Sequence, residues 1–369
     1  MTEMMKALVW DGTEYPDSLE LKDFPKPVPG PGWALVSVKA VGICGSDLHY
    51  LLGQTRHLVP DENLPAVLGH ENAGVVVDVG EGVTKVKPGD RVGVEPIHKC
   101  TAFGQTCPMC EIGQYALCAS GLCILGIPLT EGKVLPGGHG EHIIVHEEHL
   151  YKAPDSVPLE EAALLDVLTV DVHAIKRGRP SMGDTVVVLG CGVIGLDAIQ
   201  CVRVEGVSDI IAVARYRFQA EAAKKLGAKE VVCIEDGDDP VESVMKLTAG
   251  WGVDQVYECV GGDTDAVEQG IHMCRPGGKV IMIGVFSGQR PIDLLTMLMK
   301  EVDIISSSCY STWGYKREYQ IGMDLLTSGQ VNHRDLITHR FPIEEWRQAF
   351  KAAIHKKDNE TLRVVFERP

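Results

Sequence analysis

The run Thr185-Val186-Val187-Val188-Leu189-Gly190-Cys191-Gly192-Val193-Ile194-Gly195 decides the fold. A short β-branched apolar stretch enters a glycine-x-glycine-x-x-glycine turn, and the helix-forming segment Val193–Glu205 follows. Such a glycine pattern alone is common. Between a strand and a helix it becomes the turn on which a dinucleotide pyrophosphate rests, with unpaired helix N–H groups aimed at the anion. Gly190, Gly192, Val193, Ile194 and Gly195 are therefore the first candidate coenzyme-binding residues.

On both sides of this turn the pattern is consistent. Thr185–Leu189, Ile210–Val213, Glu230–Ile234, Asp254–Cys259 and Lys279–Val285 read as strands, separated by the helical segments Val193–Glu205, Arg217–Leu226, Pro240–Thr248 and Asp263–Cys274. Near-continuous apolar strands alternating with helices predict an α/β, doubly wound parallel sheet covered on both faces. Gly284 and Val285, at the end of the last of these strands, join the candidate coenzyme residues. Upstream, short alternating runs such as Trp33–Val41, Glu71–Val79 and His142–Val145, broken by turns like Lys87-Pro88-Gly89-Asp90, predict a mostly β domain. The expected division is 1–154 for that domain, 155–301 for the dinucleotide-binding domain, and 302–369 returning to pack on the first. Within the last segment, Phe341–Lys351 reads as one amphipathic helix and Leu362–Phe366 as a terminal strand.

At 369 residues the chain accommodates two such domains. Its formal net charge of −16 opposes non-specific binding to nucleic acid or anionic membranes. The N-terminus carries no cationic stretch before an apolar region, and no apolar run has membrane-spanning length. A soluble, cytoplasmic protein without nucleic-acid or membrane partners is expected.

There are 12 cysteines, many for a reducing compartment, where clustering points to metal more than to disulfides. Cys191, Cys201, Cys233, Cys259 and Cys274 lie singly in apolar segments and read as core packing. Cys100, Cys107, Cys110 and Cys118 instead crowd one Gly- and Pro-containing stretch. Earlier, Gly42-Ile43-Cys44-Gly45-Ser46-Asp47-Leu48-His49 and Gly69-His70-Glu71 supply a thiolate, an imidazole and a carboxylate, a set suited to one divalent metal. A metal together with a dinucleotide implies hydride chemistry on an alcohol or carbonyl.

These motifs, in this order and spacing, make the chain similar to the zinc-dependent medium-chain alcohol and polyol dehydrogenases over essentially its whole length. The resemblance implies a GroES-like catalytic domain beside a Rossmann domain. It implies a catalytic zinc held by Cys44 and His70, with the third ligand either Glu71 or Asp166. Asp166 stands where sorbitol-dehydrogenase-like members carry glutamate-proline, as in NADP-dependent secondary alcohol dehydrogenases. It also implies a proton relay through Ser46 and His49. Cys107, Cys110 and Cys118 match the family's structural zinc lobe, whereas Cys100 lies further upstream than usual, so Thr101–Thr106 must loop out. Four thiolates would close a tetrahedral, non-catalytic site; free thiols are the alternative, and a nucleic-acid-binding zinc ribbon disagrees with the acidic charge. Cys123 is left without a role.

In NAD-specific members an acidic residue ends the second strand. This chain reads Val213-Ala214-Arg215-Tyr216-Arg217, so Ala214 removes the repelling carboxylate and Arg215 and Arg217 offer forked donors to a 2′-phosphate. NADP(H) is expected over NAD(H). At the substrate end the family's arginine-tyrosine pair becomes Cys309-Tyr310, which disfavours a conventional straight-chain polyol. Trp313, Tyr50, His57 and His139 have no orientation fixed by sequence. The overall expectation is an enzyme interconverting a secondary alcohol or polyol with its ketone. An aldehyde reductase or sugar dehydrogenase, or a non-catalytic coenzyme- or zinc-binding protein, are the alternatives. A homodimer or homotetramer is implied by the resemblance.

Overall fold

The structure, a computed structural model, describes residues 3–130 and 134–369. The chain forms two compact units, one from Met1–Asp166 with Tyr310–Pro369, the other from Val167–Cys309.

Helix α1 (Leu165–Gly178) begins in the last two residues of the first unit's N-terminal segment and leads, in the second unit, to the parallel sheet. Strands β1 (Thr185–Leu189), β2 (Asp209–Ala214), β3 (Glu230–Cys233), β4 (Val253–Glu258), β5 (Cys274–Met282) and β6 (Asp303–Ser306) alternate with helices. These are α2 (Val193–Val204), α3 (Arg217–Leu226), α4 (Pro240–Leu247), α5 (Ala266–Met273) and α6 (Leu294–Lys300). The spatial order is β3-β2-β1-β4-β5-β6 with every pairing parallel. This is the order that leaves a crevice between β1 and β4 at the carboxyl ends of the strands. Val186, Val187 and Val188 are fully buried, as a central strand covered on both faces requires. The sixth strand, β6, lies past residue 301 and forms an edge.

The first unit is mostly antiparallel β. Trp33–Gly42 is its centre, paired with Glu71–Val79, His142–His146 and the late strand Arg363–Glu367. A second small sheet joins Met4–Trp10 to Leu19–Pro25 and Ala66–Val67. The core gathers Leu8, Trp10, Val36, Leu68, Trp346, Phe350 and Phe366, so side chains more than 300 residues apart share one interior.

The C-terminal reading needs one correction. Phe341 does not open a helix: it closes the strand Ile337–Phe341, parallel to Arg363–Glu367, and the helix runs Trp346–Ile354. Pro342 explains this, because the residue before a proline is pushed out of the α region into β. Two smaller shifts occur: Ile234 turns into a 3-10 segment, and β5 ends at Met282, leaving Gly284 and Val285 in the following loop. Among the described residues no helix is long and apolar enough to cross a membrane.

Candidate active site

Register assembles the metal candidates. Gly42 pairs with Glu71, which sets Cys44, two residues on, beside His70 and Glu71. Glycine at 42 leaves room for the Glu71 carboxylate, since a Cβ there would lie 2.0 Å from Glu71 Oε2. One donor atom from each of Cys44, His70 and Glu71 falls within 4.8 Å of the others. Asp166, at the start of α1, sits outside that triplet with Oδ2 3.8 Å from His70 Nε2, and Tyr310 donates its hydroxyl to Asp166 Oδ1 at 2.6 Å.

Two residues with no sequence-assigned role complete the surroundings. Asp47, fully buried, accepts the Cys44 N–H at 2.9 Å through Oδ2 and places Oδ1 3.9 Å from His70 Nδ1. Its position three residues after Cys44, at the start of the helix Gly45–Leu51, is a signal that sequence alone carries. Arg363 bonds the Ile43 carbonyl at 2.7 Å and stands 3.2 Å from Glu71 Oε1. No local pattern links residues 320 apart.

The electrostatics suit a cation. Burial pushes Asp47 and Asp166 up to about 6 against the pull of His70. Burial pushes His70 down, but the Cys44 thiolate, Asp47 and Asp166 outweigh it and hold the imidazole well above its usual range. Among the described residues neither oxygen of fully buried Glu71 accepts a hydrogen bond. A thiolate and three carboxylates around one imidazole, with Arg363 paired to Glu71 by charge but not by a hydrogen bond, fit a divalent metal whose charge compensates the remainder. Ser46 Oγ is buried without a hydrogen-bond partner among the described residues, while His49 is exposed and its Nδ1 meets Gln54 Oε1.

The four-cysteine lobe also closes. Cys100, Cys107, Cys110 and Cys118 each present sulfur within 4.8 Å of the rest. The extra residues fold into a 3-10 turn over Cys100–Phe103, so Cys100 still reaches the cluster. Cys107 caps the helix Pro108–Glu111, and the Cys110 N–H donated to its sulfur holds that thiol down at about 6. Four converging sulfurs fit one tetrahedral zinc. Cys123 is buried in the core and is not one of the four.

Beside the lobe, fully buried Glu95 is the acceptor of a polar hub. Arg317 Nη2 lies 2.8 Å from it, Tyr151 donates at 2.9 Å, His149 Nδ1 is 3.2 Å away, and Tyr115, from within the lobe, also donates. Arg317 is thereby committed inside the fold and does not stand in for the arginine that Cys309 replaces. Tyr50 and His139 are core residues, His139 lying edge-on to Phe350 and Phe366; His57 is exposed, and so is Trp313, in the short strand Thr312–Trp313.

In the second unit the glycine turn has the expected form. Gly190 has φ 97°, its N–H bonds the Val213 carbonyl at 2.9 Å, and a Cβ on Gly195 would lie 1.8 Å from the Gly190 oxygen. Gly192 caps α2, whose first residues are Val193 and Ile194. Ala214 ends β2 and is buried; Arg215 is exposed, with its guanidinium 5.3 Å from the Tyr216 ring centroid. Arg217 is exposed too, but its Nε donates to Asp236 Oδ1 at 2.6 Å. Gly284 donates to the Glu258 carbonyl at the end of β4, and Val285 is 88% exposed beside it.

Comparison with known proteins agrees with this geometry. Residues 30–155 match the family described as the alcohol dehydrogenase GroES-like domain, and residues 193–328 match the zinc-binding dehydrogenase family. The sorbitol dehydrogenase of Bacillus subtilis (strain 168) is 32% identical over 363 residues, covering 98% of this chain and 96% of that protein. Among solved structures, 2R,3R-butanediol dehydrogenase from Bacillus subtilis superposes with a TM-score of 0.83 at 30% identity, covering 99% of this chain and 100% of that one. The alcohol dehydrogenase TADH from Thermus sp. ATN1 gives 0.84 at 32% identity, covering 98% and 99%.

Proposed function

The chain belongs to the zinc-dependent medium-chain dehydrogenases, and on that footing we propose that it interconverts a secondary alcohol or polyol with its ketone, using NADP(H) in preference to NAD(H). The buried donor triplet Cys44, His70 and Glu71 carries the reading. We assign the third metal position to Glu71 and the adjacent carboxylate role to Asp166. When bound, zinc supplies Lewis acidity toward the substrate oxygen and the dinucleotide supplies the hydride acceptor.

The chain's own residues do the rest. Asp47 orients the His70 ring from its Nδ1 side and fixes the Cys44 backbone. Ser46, with an unpartnered buried hydroxyl, receives the proton of the substrate alcohol, and exposed His49 exchanges it with solvent. The Gly190–Gly195 turn seats the pyrophosphate. The absence of a carboxylate at Ala214 and the exposed Arg215 support the 2′-phosphate.

The test is reduction of NADP⁺ and NAD⁺ by zinc-replete protein against secondary alcohols, polyols and aldoses. Turnover of secondary alcohols or polyols with a lower KM for NADP⁺ is expected. Equal KM values for the two coenzymes would overturn the coenzyme assignment, and turnover of aldoses alone would overturn the substrate class.

A second copy of the chain is the proposed partner. Edge strand β6 has free ladder positions, and neighbouring α6 exposes Leu294, Leu295, Leu298 and Met299 by about 70% each. An apolar, open edge is the kind of surface that homo-oligomers cover. Light scattering should give at least a dimer, and Leu298→Lys should lower that mass; a monomeric parent protein would refute this assignment.

A further inference from the structure

Two arginines follow β2, and their surroundings differ. Arg215 is exposed and, among the described residues, makes no ion pair; its guanidinium lies 5.3 Å from the Tyr216 ring centroid. Arg217, the first residue of α3, is held from the neighbouring strand's loop. Its Nε donates to Asp236 Oδ1 at 2.6 Å, and its backbone N–H donates to Glu235 Oε2 at 3.1 Å. Glu235 and Asp236 lie in the 3-10 turn directly after β3, so β2–β3 pairing brings both carboxylates to the N-terminus of α3. Two acidic side chains thus occupy the end of the helix to which a phosphate would otherwise be drawn.

We propose that Asp236 tunes coenzyme choice: it is a positioning residue that holds Arg217 away from the 2′-phosphate and leaves Arg215 as the arginine that reads it. This rests on the assignment of β2's end to the adenosine ribose. The consequence is a modest preference for the phosphorylated coenzyme, since one exposed guanidinium acts where the sequence offers two. An exposed ion pair is weak, so Asp236 moderates the preference and does not abolish it.

Direct binding tests this without catalysis, by calorimetry on the full zinc-replete chain at low ionic strength with adenosine 2′,5′-bisphosphate and 5′-AMP. Asp236→Asn should bind the bisphosphate roughly 2- to 5-fold more tightly, the size of one screened charge contact, with 5′-AMP unchanged. Arg217→Ala alone should change neither affinity, and Arg217→Ala added to Asp236→Asn should return the bisphosphate affinity to the parental value. No gain in Asp236→Asn would overturn the proposal. So would a gain that persists in the double variant, because it would then come from the bare carboxylate charge. Arg215→Ala reports on the parent assignment independently: loss of selectivity for the bisphosphate upholds it, and unchanged selectivity overturns it whatever Asp236→Asn does.

Discussion

Tyr310 and Asp166 are joined by a 2.6 Å hydrogen bond in which the phenol donates, and Tyr310 is 1% exposed. The bond removes one oxygen of Asp166 from other use and turns the other toward His70, 3.8 Å away. Tyr310→Phe should therefore cost about 1.5–3 kcal/mol of stability, the range for a hydrogen bond to a charged acceptor. It should also reduce kcat/KM through the freed carboxylate. Urea denaturation and steady-state kinetics check this, and an unchanged unfolding free energy would show the contact to be idle.

Counting zinc distinguishes the two carboxylates. The parent chain should hold two zinc ions, Glu71→Ala one, and Asp166→Asn two, because Glu71 rather than Asp166 groups with Cys44 and His70. Asp47→Ala should keep both ions but bind the catalytic one roughly 10- to 100-fold more weakly, the usual effect of removing a group that orients a ligand. Metal analysis after dialysis against graded chelator gives each number. Loss of zinc from Asp166→Asn with retention in Glu71→Ala would reverse the assignment.

Arg317 and Glu95 are a buried ion pair, with side-chain exposures of 17% and 0%. Arg317→Met leaves Glu95 as an uncompensated charge and should destabilise the chain by about 3–5 kcal/mol, whereas Arg317→Met with Glu95→Gln should recover part of that loss. Equal stability of the single and double variants would contradict the pairing.

Asp171 and Asp197 are fully buried acids of α1 and α2. Burial, then the charge of Asp197, pushes Asp171 well above the usual carboxylate range, and among the described residues neither of its oxygens has a hydrogen-bond partner. The folded state thus keeps a proton that the unfolded chain releases near 3.8. Stability must fall as pH rises from that value toward the raised one. Asp171→Asn has no proton to lose, so its stability relative to the parent should rise from pH 5 to pH 8. Denaturation midpoints at the two pH values decide, and an identical difference at both would exclude the mechanism.

Much of this was readable from local pattern. The glycine turn after Leu189 and the alternation behind it gave five of the six strands of the parallel sheet, because buried strands and their helices declare themselves within a few residues; the edge strand β6 was not among them. Cys44, His70 and Glu71 were legible as a donor set, and the odd spacing of Cys100 did not keep it from the lobe. What stayed hidden was non-local. Arg363 beside Glu71, Tyr310 on Asp166, and Arg317 on Glu95 are contacts whose partners lie far away in sequence, and no periodicity encodes them. Arg217 shows the converse limit: sequence offered its charge to a phosphate, and an acid from the next loop already holds it.

The pairing of Val365 with Gly42, and of Arg363 with the Ile43 carbonyl, has a meaning in time. During synthesis the contiguous segment Val167–Cys309 emerges with all its strands and can close on itself. The strand bearing Gly42 finds its earlier neighbours within about 100 residues, but one side of its Gly42 end must wait for residues made some 320 positions later. Until Arg363 leaves the ribosome, Glu71 lacks its nearby cation and the loop carrying Cys44 lacks its anchor. Metal capture should accordingly be a late event, so nascent or truncated chains short of residue 363 would release zinc that the finished chain retains.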